Sequence, residues 1–135
     1  MKTNEINSIL KSYNLKDEKR TGWQLRNIEE PETVASHSWG TALQVIIHAD
    51  EEMNIQKALK MAIIHDIGEA EIGDIAHRAI DKEQEASVKE KEKLESEAVK
   101  KLSKALGEEI RELWEEYEER KTKEARFVKD MDMID

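Results

Sequence analysis

The run Ala62-Ile63-Ile64-His65-Asp66-Ile67-Gly68-Glu69-Ala70-Glu71-Ile72-Gly73-Asp74 sets five ionisable side chains into a stretch that otherwise reads as protein core. Burying a bare ionisable group is costly, so any fold that takes in this run must pair the groups, give them to a metal, or hold them near solvent for chemistry. The rest of the chain offers little from which to build a sheet around it. Only 4% of its residues are aromatic, it has one proline, and 39% are charged, mostly Glu and Lys. Such a composition points to helices, and no alternation of apolar and polar residues is long enough for a strand. The expected class is therefore all-α.

At 135 residues the chain suits one domain, 1–135, with a single core. Its net charge of −9 and lack of a Lys/Arg-dense tract make a nucleic-acid duplex an unsuitable partner. A small anionic substrate remains compatible if a metal and one or two local cations supply positive field. Cysteine is absent, which excludes disulfides, thiol catalysis and thiolate metal sites and fits a cytoplasmic setting. Residues Met1 to Leu10 are too polar for a signal peptide, and nothing approaches the roughly 18 apolar residues of a membrane span.

Periodicity predicts a short helix from Glu5 to Tyr13, with Ile6, Ile9 and Leu10 on one face, then an ordered loop from Lys16 to Pro31. A longer helix is expected over Glu32 to Glu52, Pro31 being tolerated at its start. Asn54 reads as the N-cap of a helix from Ile55 to Ile67 whose apolar set is Ile55, Leu59, Ala62 and Ile63. Gly68 and Gly73 bend or break the chain beyond that helix. A Glu/Lys-rich helix from Lys82 to Leu106 should stop at Gly107, a natural C′ residue. Helices over Glu108 to Lys121 and from Lys123 onward complete the chain. Trp39 and Trp114 are expected in the core.

Were the third helix to run on through Glu69, the pairs His65/Glu69 (i,i+4) and Asp66/Glu69 (i,i+3) would look toward one region. His65 and Asp66 sit about 100° apart around the axis, so both could reach an ion lying between their directions. His37 from the preceding helix would add a third ligand, and a carboxylate from the last helix a fourth. That helix carries Asp130, Asp132 and Asp135. Two imidazoles and two carboxylates suit one divalent cation with open positions: Mn²⁺, Fe²⁺, Co²⁺ or Mg²⁺, with Zn²⁺ also admissible. Each residue also has a plainer reading as a satisfied or solvated side chain. His48 lies about 16 Å further along its helix than His37 and cannot share that ion. His77 reads as structural or solvent-facing.

These residues carry a resemblance. The order His37, His65-Asp66, Asp132 resembles the H…HD…D signature of the HD-domain phosphohydrolases, an all-α fold of about five to seven helices. Glu32-Thr33-Val34-Ala35-Ser36-His37-Ser38 resembles an element of that superfamily, and His65-Asp66-Ile67-Gly68-Glu69 followed by Ile72-Gly73-Asp74-Ile75 is similar to a block of the HD-domain 5′-deoxynucleotidases. So are Lys19-Arg20-Thr21-Gly22-Trp23 with Arg26-Asn27, Leu113-Trp114-Glu115-Glu116-Tyr117-Glu118, and Phe127-Val128-Lys129-Asp130-Met131-Asp132. The chain departs at Ala76, where the family has proline, and ends three residues past Asp132, where the family continues. An HD domain shortened at that end is the expectation.

The resemblance implies hydrolysis of deoxyribonucleoside 5′-monophosphates to nucleoside and phosphate by water activated on a divalent cation. It implies His37, His65, Asp66 and Asp132 as metal ligands and Glu69 as the residue that moves protons. It also implies Arg20 on the phosphate, Trp23 shaping the nucleoside pocket, Asp74 near the sugar or the metal, and a homodimer. Two rival readings stay open: an HD hydrolase of a cyclic nucleotide or nucleotide polyphosphate, and a non-catalytic helical regulator with a structural metal.

Overall fold

The computed structural model describes residues 1–20, 32–72 and 84–134, with side chains described from residue 89 in the last stretch. Six α-helices lie wholly within these residues: α1 Thr3–Ser12, α2 Val34–His48, α3 Ile55–Ile64, α4 Gln84–Leu106, α5 Glu108–Glu119 and α6 Lys123–Ile134; residues 69–72 are also helical. A 3₁₀ turn, Tyr13–Lys16, follows α1. The β-structure among these residues is an isolated antiparallel bridge between Lys19 and Thr33. The all-α expectation holds.

Local chemistry sets the boundaries. The Thr33 side chain accepts from the Ser36 amide at 3.1 Å, and Asn54 accepts from the Lys57 amide at 3.1 Å, so α2 and α3 each start on an N-cap. The Asn54 cap is as the sequence suggests, but α2 starts two residues later than expected and stops at His48 rather than Glu52. Gly107 ends α4 at φ +126°, a conformation L side chains rarely adopt. Arg120 closes α5 in the left-handed region at φ 53°.

The shortest helices are not the least important. α3 packs against α2, α5 and α6 at once, while α4 runs along α1 and α5. One buried cluster joins Val45, Ala58, Met61, Ala62, Leu113, Tyr117, Val128 and Met131. A second joins Leu15, Val34, Ile67, Ala70, Val99, Leu102 and Trp114, and Ile64 borders both. The chain segment just after Ile64 therefore emerges where the two clusters meet.

Two expectations about burial are corrected. Trp39 is 68% exposed, on the outer side of α2 with Leu43, Ile46 and Ile47, because the inward face of that helix is taken by Val34, His37, Thr41 and Val45. On α3 the buried set is Ala58, Met61 and Ala62, whereas Ile55 and Ile63 face outward. The buried stripe is rotated from the expected one and consists of two alanines and Met61.

Replacing Leu102, 1% exposed, by Ala should lower unfolding free energy by about 2–5 kcal/mol in denaturant titrations. Trp39→Ala should change it by less than about 0.5 kcal/mol, since an exposed ring leaves no cavity; a larger loss would restore Trp39 to the core.

Candidate metal centre

The end of α3 is where the chemistry gathers. The helix stops at Ile64, three residues short of expectation, with His65 as its C-cap. The next residues wind in tight i→i+3 turns: Ile67 N to Ile64 O, Glu69 N to Asp66 O, Ala70 N to Ile67 O and Glu71 N to Gly68 O, at 3.0–3.2 Å. Tight turns of three residues eclipse side chains at i and i+3, so Asp66 and Glu69 share a side more closely than α-helical winding would allow. Gly68 lets α4 approach: a Cβ there would lie 3.3 Å from the Glu95 carbonyl oxygen.

His37 stands in the first turn of α2, His65 at the end of α3, and Asp132 in the last turn of α6. One ligand atom from each lies within 4.8 Å of the others. The two imidazoles are buried, at 1% and 2% exposure, with ring centroids 5.5 Å apart and planes at 66°. His37 Nε2 donates to Asp132 Oδ1 at 2.5 Å, and His65 Nε2 lies 3.6 Å from the same oxygen. Asp66 is not among the three, but its Oδ2 is 3.1 Å from His65 Nε2.

The two nitrogens of His65 have opposite circumstances. Nδ1 donates to the Ala62 carbonyl at 2.6 Å, which fixes the ring. Nε2 is buried with no hydrogen-bond partner, the 3.1 Å approach of Asp66 being misaligned for one. A buried imidazole nitrogen with no hydrogen-bond partner, facing two carboxylates, offers a lone pair to a metal ion once its proton is displaced. Burial opposes charge on the ring, yet Asp132 and Asp66 outweigh it and push His65 up to about 10. The field that attracts that proton would equally attract a cation. Against the cost of burial, His37, His65 and Lys129 hold Asp132 well below the usual carboxylate range, and His65 does the same for Asp66. The donor set, with oxygen and imidazole ligands and no thiolate, fits a borderline or hard divalent ion.

Around this centre stand groups of different character. Glu69 is pushed up to about 7, first by burial and then by the charge of Asp66, with Lys91 at 3.9 Å pulling the other way. Arg20 pairs with Glu32 at 2.6 Å, and the same Glu32 oxygen lies 4.0 Å from His37 Nδ1, so the guanidinium is tied to the edge of the centre. The tie depends on the Lys19–Thr33 bridge, where Arg20 N donates to Glu32 O at 3.1 Å. Trp23 and Asp74 lie outside the described residues, as do Arg26, Asn27 and His77. His48 is exposed, as its spacing from His37 allowed.

Sequence patterns alone assign no role to Glu32, Tyr117 or Lys129. The Tyr117 hydroxyl donates to Asp132 Oδ2 at 3.0 Å and Lys129 Nζ to the same oxygen at 2.9 Å. Lys129 could have been found as an i,i+3 partner of Asp132. Burial, with the Asp132 charge beside it, pushes the Tyr117 hydroxyl far up, so it keeps the proton it donates to Asp132.

A helical bundle that brings a histidine, a His-Asp pair and a distal aspartate to one point defines the HD class of domain. The chain matches the HD domain family over residues 13–135 and belongs to it. It is 39% identical over 126 residues to mouse 5′-deoxynucleotidase HDDC2, covering 90% of this chain and 60% of the mouse protein. Schizosaccharomyces pombe 5′-deoxynucleotidase hdd1 is 38% identical over 130 residues, covering 90% of this chain and 63% of that protein. The chain thus spans about three-fifths of the length of these curated relatives. The PH0347 protein from Pyrococcus horikoshii OT3 superposes with a TM-score of 0.79 at 36% identity, over 96% of this chain and 72% of that one.

Near the centre, burial pushes Glu95 up to about 7, an effect Lys91 reduces and Glu118 adds to. A carboxyl raised in the folded state favours the protonated fold, so its penalty is absent below the unfolded pKa of 4.5. The penalty grows as pH rises from there to 7 and is constant above. Glu95→Gln should therefore leave stability at pH 4.5 nearly unchanged and raise it at pH 8 by on the order of 1–3 kcal/mol, read from denaturant midpoints at both pH values. Equal effects at the two pH values would contradict the burial of an ionised Glu95.

Proposed function

We propose that this chain, as a single domain over residues 1–135, is a metal-dependent phosphohydrolase acting on deoxyribonucleoside 5′-monophosphates. The observation that carries the reading is the buried, unpartnered Nε2 of His65 facing His37 and Asp132 in a chain of the HD domain family. Relatives bearing the name 5′-deoxynucleotidase support the substrate class.

In this reading His37, His65, Asp66 and Asp132 hold one divalent cation, with Mn²⁺, Co²⁺, Mg²⁺ and Fe²⁺ ahead of Zn²⁺ on the donor set. When bound, such an ion makes water nucleophilic near neutral pH and offsets phosphate charge. The protein residues supply the rest. Glu69, beside the site on the turn after α3, accepts a proton from the attacking water when ionised and gives one to the departing 5′ oxygen when protonated. Arg20 has donors beyond the one engaged by Glu32 and can take two phosphate oxygens at once. Trp23 and Asp74 complete the nucleoside side in this reading.

The reading includes a cytoplasmic homodimer. The absence of cysteine and the outward Trp39, Leu43, Ile46 and Ile47 are compatible with it. Among the described residues no helix is long and apolar enough to cross a membrane.

Phosphate release over a panel of deoxy- and ribonucleoside monophosphates, cyclic nucleotides and nucleotide polyphosphates, with each metal and after chelation, tests the whole reading. Turnover should favour the deoxyribonucleoside monophosphates and vanish with chelator. Glu69→Ala should lower kcat by about 10²–10⁴-fold while Mn²⁺ remains bound, and wild-type kcat in that variant would remove Glu69 from the chemistry. Arg20→Ala should raise KM, and an unchanged KM and kcat would free Arg20 of its role.

A further inference from the structure

We propose that Tyr117 is a positioning residue for the metal centre: its hydroxyl fixes Asp132 so that one carboxylate oxygen is reserved for the cation. The inference rests on the reading of His37, His65, Asp66 and Asp132 as ligands, and goes beyond it by adding a residue from a helix that supplies none.

The two oxygens of Asp132 have separate surroundings. Oδ1 faces the imidazoles, 2.5 Å from His37 Nε2 and 3.6 Å from His65 Nε2. Oδ2 faces away from them and accepts from Tyr117 Oη at 3.0 Å and from Lys129 Nζ at 2.9 Å. With Oδ2 so engaged, the carboxylate would meet an ion through a single oxygen. Tyr117 is suited to hold it. The residue is 3% exposed and packs in the core cluster with Met61, Val128 and Met131. Its ring lies 5.2 Å from that of His65, so one side chain touches two of the ligands.

Lys129 shares the oxygen but not the constraint. It sits on the same helix as Asp132, is 30% exposed, and ends in a flexible ammonium. Asp132 lies in the last turn of α6, where a helix holds its side chains least firmly. A buried phenol on a neighbouring helix supplies the fixed point that the terminal turn lacks. Partners of this kind tune affinity through the ligand they orient, without touching the ion.

The test is Mn²⁺ binding followed by electron paramagnetic resonance of the free ion, without substrate. Wild type should bind and His65→Ala should not; absence of binding in wild type would defeat the metal reading itself. Given binding, Tyr117→Phe should raise the Mn²⁺ dissociation constant by about 10–100-fold, while helical circular dichroism is retained. Its lost turnover should return at saturating Mn²⁺. Lys129→Gln keeps a donor near Oδ2 and should change the constant by less than about threefold, well below the usual effect of losing an orienting partner. An unchanged constant in Tyr117→Phe overturns the proposal, as does a weakening in Lys129→Gln equal to that in Tyr117→Phe.

Discussion

The bond from His65 Nδ1 to the carbonyl of Ala62 decides what the rest of the centre can be. A helix that continued past Ile64 would have drawn that stretch of backbone into its own i→i+4 ladder. Because α3 stops instead, the ring is anchored by its own preceding turn, and the other nitrogen is turned inward with nothing to bond. His37, Asp132 and Asp66 then converge on that nitrogen from three directions. Each of these groups would be unfavourable alone in the interior; together the carboxylates hold a proton on His65, where a divalent cation could take its place.

The packing exists largely to hold that helix end still. α2, α5 and α6 surround α3, which buries Ala58, Met61 and Ala62, and α4 braces the turn beyond it by lying against Gly68. Lys91 and Lys101 on α4 reach Glu69 and Glu71 on the turn at 3.9 and 3.6 Å. Long exposed pairs like these add little stability, so the close backbone approach at Gly68 is the firmer contact. Near this turn Glu69, Glu95 and Glu118 all have raised pKa values, burial being the first cause of each.

What could be read from the sequence was governed by local rules. Asn54 capping α3 and Gly107 ending α4 follow from backbone chemistry within a few residues, and both stand in the structure. The convergence of His37, His65 and Asp132 was legible because the motif fixes residue types at recognisable spacings. What escaped depends on tertiary packing. Trp39 looks like core by composition, but only the position of α3 and α6 decides which side of α2 is inside. The end of α3 at Ile64 is likewise invisible locally, since Ile67 continues the apolar pattern. Tyr117 was hidden by its neighbours: a tyrosine on an apolar stripe reads as packing until its hydroxyl is seen on Asp132.

The antiparallel bridge between Lys19 and Thr33 has a consequence for variation. It clamps the two ends of the intervening sequence to each other, and the same clamp sets Arg20 against Glu32 and Glu32 beside His37. Insertions or deletions between those ends would leave the arginine in register with the histidine. The pairing of Arg20 with Glu32, and of Glu32 with His37, is therefore set by residues on either side of that stretch rather than by its length.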